Sequence, residues 1–396
     1  MRPVTIILLI IGIIFLSSCS IDDNFVSIED IDYSSIEHSL ILSGQYLLNN
    51  QNGDGSLEYL YYPSEERFST NNNMIRQFMS TIALSEVSKY SNNMIYENAF
   101  DNNLKYNLEN YYFEDNNIGY VFFNNKSKLG AAAFAIISIL ESEKYEEELA
   151  NLINLVELLH NETDGSFRTF YIPEDRNDNQ YFYPGEAMLA LMMLYEKTGD
   201  EKYIDMVKKP FSYYPSYYRE KMNPAFIPWN TQALFHLYQE TGNETYVDYI
   251  FEINDWLLAI QNKKCAEPKH LGRFYDPNFK QYGSPHASST AVYVEGLTYA
   301  YSLAKELGDS NRMENYREAI LLGARSLIEL QFKEEDIIER DDAEIVLGGI
   351  RTSTSRDEIR VDNNQHTIMA FLAILNFLGE DEIKEFVSSH PEYYCS

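Results

Sequence analysis

The chain has 396 residues, 45% of them hydrophobic and 14% aromatic. That is enough apolar material for one large buried core, with no bias toward disorder or collagen. Against 31 Lys+Arg stand 61 Asp+Glu, a formal net charge of −30, which repels nucleic acid and anionic lipid head groups and leaves no basic tract to override the repulsion; nucleic acid is not an expected partner.

The first element is apolar. "MRPVTIILLIIGIIFLSSCS" carries Arg2, a hydrophobic run from Val4 to Leu16, then Ser17, Ser18 and Cys19. The run is shorter than the roughly 20 residues a membrane-spanning helix needs, and it has the length of a signal-peptide core. Its end resembles the lipobox of prokaryotic lipoproteins, in which small residues precede a cysteine that is lipidated and becomes the new N-terminus. The same end also suits an ordinary signal-peptide cleavage site with an incidental Cys19. The lipoprotein reading divides the chain into a signal peptide at 1–18, a short acidic tether at 19–33, and one domain at 34–396 held outside the cytoplasm by a lipid anchor at Cys19. Cys265 and Cys395 then lie in a compartment that permits a disulfide, and both a bridge and two separate thiols fit the sequence.

From residue 34 onward the apolar spacing is helical and recurs in pairs. "HSLILSGQYLLNNQNGDGSLEYLYYP" (38–63) and "LANLINLVELLHNETDGSFRTFYIP" (149–173) each run an amphipathic helix into Asp-Gly-Ser, a short aromatic stretch and Pro. Segments 250–277 and 324–353 repeat the plan more loosely. Outer, one-faced helices are expected near 35–50, 95–112, 144–160, 201–214, 244–262 and 311–332. Inner helices rich in small residues are expected near 72–90, 128–140, 183–197, 224–240, 284–307 and 362–378. Six buried helices alternating with six half-exposed ones describe an all-α (α/α)6 toroid. An open solenoid would show shorter units and polar terminal caps. The long loops, with short β-like stretches, fall just ahead of the inner helices on one rim.

The Asp-Gly-Ser turns, the "YYP" and "FYIP" loops, "YPGEAMLALMMLYEKTGDEKY" and the closing "GGIRTS…IRVDNNQH" resemble the six-hairpin glycosidase-like superfamily over residues 34–380. That superfamily includes glucoamylases, unsaturated glucuronyl hydrolases, N-acylglucosamine epimerases and uronyl C5-epimerases. The resemblance implies a carbohydrate ligand held in a funnel lined by the inner helices' N-termini.

Residues opening those helices are therefore the candidates, and the helix ends favour anions. In "RTSTSRDEIRVDNNQH" Asp362 and Gln365 have capping-box spacing, while His366 lies four residues on, on the same face. Asp362 reads either as a helix cap or as one half of an acid/base pair with His366. Arg351, Arg356 and Arg360 precede them, and three arginines in an acidic chain suggest an anion; Arg351 and Arg360 are taken as its binders. Glu186 in "YFYPGEAM" sits near a positive helix end beside Tyr181 and Tyr183. Trp229 and Asn230 offer a stacking face and an amide, and Trp229 reads equally as a core residue. His286 opens inner helix five as a second acid/base group, with Tyr293 on its face and Glu295 turned elsewhere as a buried partner. Arg76 and Gln77 are binding candidates in the first repeat.

The sequence contains no phosphate-cradling glycine loop, H-E-x-x-H, G-x-S-x-G or paired C-x-x-C, and neither cofactor nor metal is expected. The expected function is a cell-surface enzyme acting on a uronate-containing glycan. In hydrolysis Glu186 and Asp362 form the carboxylate pair. In epimerisation or elimination Arg351 and Arg360 hold the carboxylate while His366, His286 or Tyr183 moves the α-proton. The alternative is a non-catalytic glycan-binding or envelope-assembly lipoprotein.

Overall fold

A computed structural model describes residues 26–275 and 286–395. Cys19 and the expected signal peptide lie outside the described residues. The helices follow in chain order as α1 (Tyr33–Asn49), α2 (Met74–Ser91), α3 (Met94–Tyr111), α4 (Leu129–Ser142), α5 (Glu146–Leu159), α6 (Tyr183–Thr198), α7 (Glu201–Lys208), α8 (Tyr214–Glu220), α9 (Ile227–Thr241), α10 (Glu244–Leu258), α11 (Ala287–Glu306), α12 (Ser310–Glu329), α13 (Ala343–Val346), α14 (Val361–Phe377) and α15 (Glu380–Ser389).

Helices α2, α4, α6, α9, α11 and α14 pack each on the next, and α14 packs back on α2, so the inner ring closes. Closure follows from their composition. α4, for example, is buried from Leu129 through Ile139, a run in which Gly130, Ala131, Ala132 and Ala133 let neighbouring backbones approach. The outer helices α3, α5, α7, α10 and α12 each lie chiefly on the inner helix that precedes them, and α1 fills that place for α14. The first outer helix thereby locks the last inner one. The fourth outer helix, expected unbroken from 201 to 214, ends at Lys208 and resumes as α8 after a 3-10 turn at Pro210–Ser212. Pro210 and Pro215 lack the N–H that continuation would need.

The rim is more ordered than the expected β-like stretches. Strands β1 (Leu60–Tyr62), β2 (Arg67–Phe68), β3 (Tyr112–Asp115), β4 (Ile118–Phe123), β5 (Lys126–Lys128), β6 (Phe170–Ile172), β7 (Arg351–Ser353) and β8 (Arg356–Arg360) form two antiparallel sheets, in the orders β2-β1-β8-β7 and β3-β4-β5-β6. β5 runs directly into α4 and β8 directly into α14, so each sheet aims one inner helix. The internal repeat reappears as four isolated bridges beyond α1, α5, α10 and α12: Gln51↔Leu57, His160↔Phe167, Gln261↔Phe274 and Gln331↔Ile350.

At the chain's start the expected tether gives way to packed structure by residue 26. Ile28 and Ile31 are buried, and Arg325 Nε donates to the Val26 carbonyl at 2.5 Å. Cys265 and Cys395 form a disulfide, Cα–Cα 5.2 Å, tying the loop beyond α10 to the C-terminal tail. Among the described residues no helix is long and apolar enough to cross a membrane.

Candidate active site

The α14 side of the rim is built around one carboxylate. Arg360 ends β8 and is the N-cap residue of α14 in extended backbone, with no side-chain cap. Asp362 and Gln365 therefore do not form the capping box their spacing suggests. Gln365 accepts from Ser80 Oγ at 2.8 Å. Asp362, 3% exposed, is turned toward two guanidiniums: Arg360 Nε donates to Oδ1 at 2.9 Å and Nη2 to Oδ2 at 2.6 Å, while Arg76 Nε of α2 stands 2.8 Å from Oδ2. A carboxylate this buried is better satisfied by charged donors than by a backbone N–H. Burial works to raise its pKa; the Arg76 and Arg360 charges overcome that and hold it at about 2. Asp362 is thus ionised throughout the physiological range.

The α6 side is built the opposite way. Tyr183 and Pro184 open α6, and Glu186 sits in that first turn, 3% exposed. Its Oε2 has no hydrogen-bond partner among the described residues. Gly130 of α4 makes the room, since a Cβ there would stand 1.9 Å from Glu186 Oε2. Gly185 does the same toward α9, where a Cβ would meet Trp229 Cβ at 2.6 Å. Burial pushes Glu186 up to about 8, only partly opposed by the charge of Lys128. Glu186 is therefore mostly protonated at neutral pH.

Between the two stand Trp229 and His366. The Trp229 ring lies 5.3 Å from Phe134 and 6.0 Å from His366, centroid to centroid. His366 Nδ1 is 3.8 Å from Glu295 Oε2 of α11, too far for a hydrogen bond, and neither atom has another partner among the described residues. Glu186 thus connects through Gly185 and Trp229 to His366, one helical turn from Asp362.

His286 is the N-cap of α11, its Nδ1 accepting from Ser289 N–H at 3.2 Å. Burial, then the Arg360 charge, pushes it down to about 4. It is neutral at physiological pH, and with Nδ1 accepting, the proton sits on Nε2. His286 thus presents a donor, where the sequence reading takes it as an acid/base group. Arg360 Nη2 reaches the same corner, donating to Ser288 Oγ at 3.2 Å.

The other candidates divide. Arg351 does not join Arg360. It stacks over Phe332, its Cζ 4.0 Å from the ring centroid, and lies 3.7 Å from Asp336, lining a separate cleft of about 1440 Å³ that also receives Arg356 and His38. Gln77 is buried and holds Leu57 O and Asn72 Oδ1 at 2.9 and 2.8 Å. Asn230 is buried with its amide on Phe226 O at 2.8 Å. The Tyr181 ring packs 5.7 Å from Tyr217 and that of Tyr293 5.4 Å from Phe274. Tyr183, beside Glu186, has its hydroxyl pKa pushed up by burial and then by that carboxyl's charge. Sequence reasoning missed Lys128; its signal was two lysines in "KSKLGAAAF" (126–134) ahead of an apolar helix in a chain of net charge −30. Among the described residues no His, Cys, Asp and Glu cluster has the grouping of a metal site.

No protein-family model and no curated protein matches the sequence. Solved structures do match. A D-mannose isomerase superposes at TM-score 0.66 with 12% identity, over 87% of this chain and 98% of the other. The fold is an (α/α)6 toroid. An α-1,6-mannanase of Salegentibacter sp. HEL1_6 in complex with α-1,6-mannotriose gives 0.60 at 13% identity over 87% of this chain and 100% of that one. An unsaturated glucuronyl hydrolase from Streptococcus agalactiae gives 0.58 at 12% over 86% and 92%. At these identities the likeness is one of fold, which the toroid shares with carbohydrate-acting proteins, and the chemistry rests on the residues above.

Proposed function

We propose that the chain is a lipid-anchored, extracytoplasmic enzyme that hydrolyses an acidic carbohydrate, with Glu186 as general acid. The observation that carries this reading is the opposed pair of carboxyls, Glu186 raised to about 8 and Asp362 lowered to about 2. Glycoside hydrolysis needs one carboxyl that still holds its proton to protonate the leaving oxygen, and one that stays ionised to steady positive charge on the sugar ring or to activate water. Asp362 accepts two hydrogen bonds from Arg360 and forms an ion pair with Arg76, and two carboxylate oxygens offer about four lone-pair sites, which leaves room for a further donor. Trp229, 5% exposed, packs between Gly185 and His366 and links the two corners. The fold's occurrence in a mannanase and a glucuronyl hydrolase supports a sugar, and the second of these names supports a uronate. The Cys265–Cys395 disulfide supports an oxidising compartment.

The test is incubation of the protein with a panel of uronate-containing and neutral polysaccharides. New reducing ends are the expected result. Solvent deuterium entering the sugar without new ends would replace hydrolysis by epimerisation, ultraviolet-absorbing unsaturated products would mean elimination, and binding without turnover would mean a glycan-binding protein. Fractionation of cells expressing Cys19→Ala tests the anchor: the variant should leave the membrane fraction while remaining folded.

A further inference from the structure

Resting on the reading of this site as one for an acidic carbohydrate, we propose that Lys128, assisted by Lys126, recognises the substrate's anionic substituent, a sugar carboxylate or sulfate. This role goes to a residue other than Arg351 and Arg360. Arg360 commits its guanidinium to Asp362, and Arg351 lines the other cleft.

Lys128 ends β5 and stands at the N-cap of α4 in extended backbone. Its backbone pairs with Phe170 of β6. The Phe170 ring carries Arg176, whose Cζ is 4.2 Å from its centroid, and faces the Tyr183 ring at 5.9 Å. Lys128, Arg176 and Tyr183 are thus gathered around Phe170, one turn of α6 from Glu186. The neighbouring cations are already engaged, Arg176 with Asp178 at 2.7 Å and Arg76 with Asp362. Lys126 and Lys128 alone in this group form no ion pair among the described residues, although the chain holds 61 acidic side chains against 31 basic ones.

The carboxyl nearest in effect to Lys128 is Glu186, whose charge opposes the lysine's lowering only when it is ionised. Burial, followed by the charges of Lys126, Arg76 and Arg176, holds the Lys128 amine below the ordinary lysine range. A half-buried ammonium among like charges is relieved by an anion brought in by the ligand. A sugar whose scissile oxygen reached Glu186 would bring its carboxylate or sulfate to Lys128.

The experiment is calorimetric titration of the full chain with a glucuronate-containing tetrasaccharide, its carboxyl-reduced counterpart and inorganic sulfate. Wild type should prefer the uronate. Lys128→Gln should lose roughly 10- to 100-fold in uronate affinity, the range of a charge-assisted hydrogen bond, and leave the reduced sugar unchanged. Lys128→Arg should keep most of the preference, which a merely structural role for the lysine would not require. Lys128→Gln should also move the alkaline limb of turnover upward, because the cation that holds Glu186 down is gone. Equal losses for both sugars, or none for either, would overturn the role of Lys128 while leaving a carbohydrate site standing. Inorganic sulfate bound as tightly as the tetrasaccharide would show a simple anion trap and overturn it too. Wild type binding neither tetrasaccharide would sink the acidic-carbohydrate reading and this inference with it.

Discussion

The α6 and α14 corners of the rim present the same secondary structure and opposite chemistry. Each opens an inner helix, each places an acidic residue in the first turn, and each acid is 3% exposed. A helix N-terminus favours a charged carboxylate in both, yet only Asp362 is held ionised. Partners make the difference: two guanidiniums for Asp362, an unbonded oxygen in a glycine-lined recess for Glu186. The dipole contribution, at most about 2 kcal/mol, does not outweigh the desolvation of a fully buried acid, whereas direct ion pairs do.

The largest effect separates the corners by isosteric replacement. Glu186→Gln and Asp362→Asn should each lower turnover roughly 10²–10⁴-fold, the usual contribution of a group in acid/base chemistry. Only Asp362→Asn should also melt early. It strands two guanidiniums that keep 31% and 23% of their surface exposed, and a cost of about 3 kcal/mol follows, the lower end for a broken buried pair because of that exposure. The capping role suggested by the D-x-x-Q spacing would instead let Asn substitute without loss of stability. Equal melting temperatures for wild type and Asp362→Asn would erase the contrast.

A pH series of denaturant unfolding sharpens the comparison. Glu186's folded value, about 8, exceeds its unfolded 4.5, so the native state keeps a proton that the unfolded chain has released. Stability should fall from this group as pH rises from about 4.5 to about 8, and Glu186→Gln should flatten that slope. Asp362's folded value, about 2, lies below 3.8. Its contribution is present above pH 3.8 and is lost as pH falls through 2, and Asp362→Asn should abolish that acid limb. In turnover, wild type should show an alkaline limb near pH 8 that belongs to Glu186.

Smaller effects test the surroundings. Gly130→Ala puts a methyl where Glu186 Oε2 sits, so stability should drop by about 1–3 kcal/mol and turnover should fall as the acid is displaced. Arg351→Gln, in the separate cleft, should change stability by about 0.5–1 kcal/mol through its lost stacking on Phe332 and leave turnover unchanged. A fall in activity with Arg351→Gln would return that arginine to the site.

Much of this was legible in residue order. Periodicity and small-residue content separated inner from outer helices, because a helix packed on all sides cannot carry charge around its circumference. The Asp-Gly-Ser repeats located the rim, and placing Glu186, Trp229, Asp362 and His366 at helix openings followed from the toroid. Pairings across the ring were not legible. Arg76 and Asp362 are 286 positions apart in the chain, Gly130 and Glu186 56 apart, and no local spacing announces such contacts.

The sequence by itself therefore determined the helical alternation, the charge excess and which residue types open the inner helices. Only the tertiary structure decided what each of them is. Burial and the nearest opposite charge set a carboxyl's protonation, and both are properties of neighbours brought together by ring closure: Arg76 against Asp362, Gly130 beneath Glu186, and Lys128 left with no carboxylate partner among the described residues.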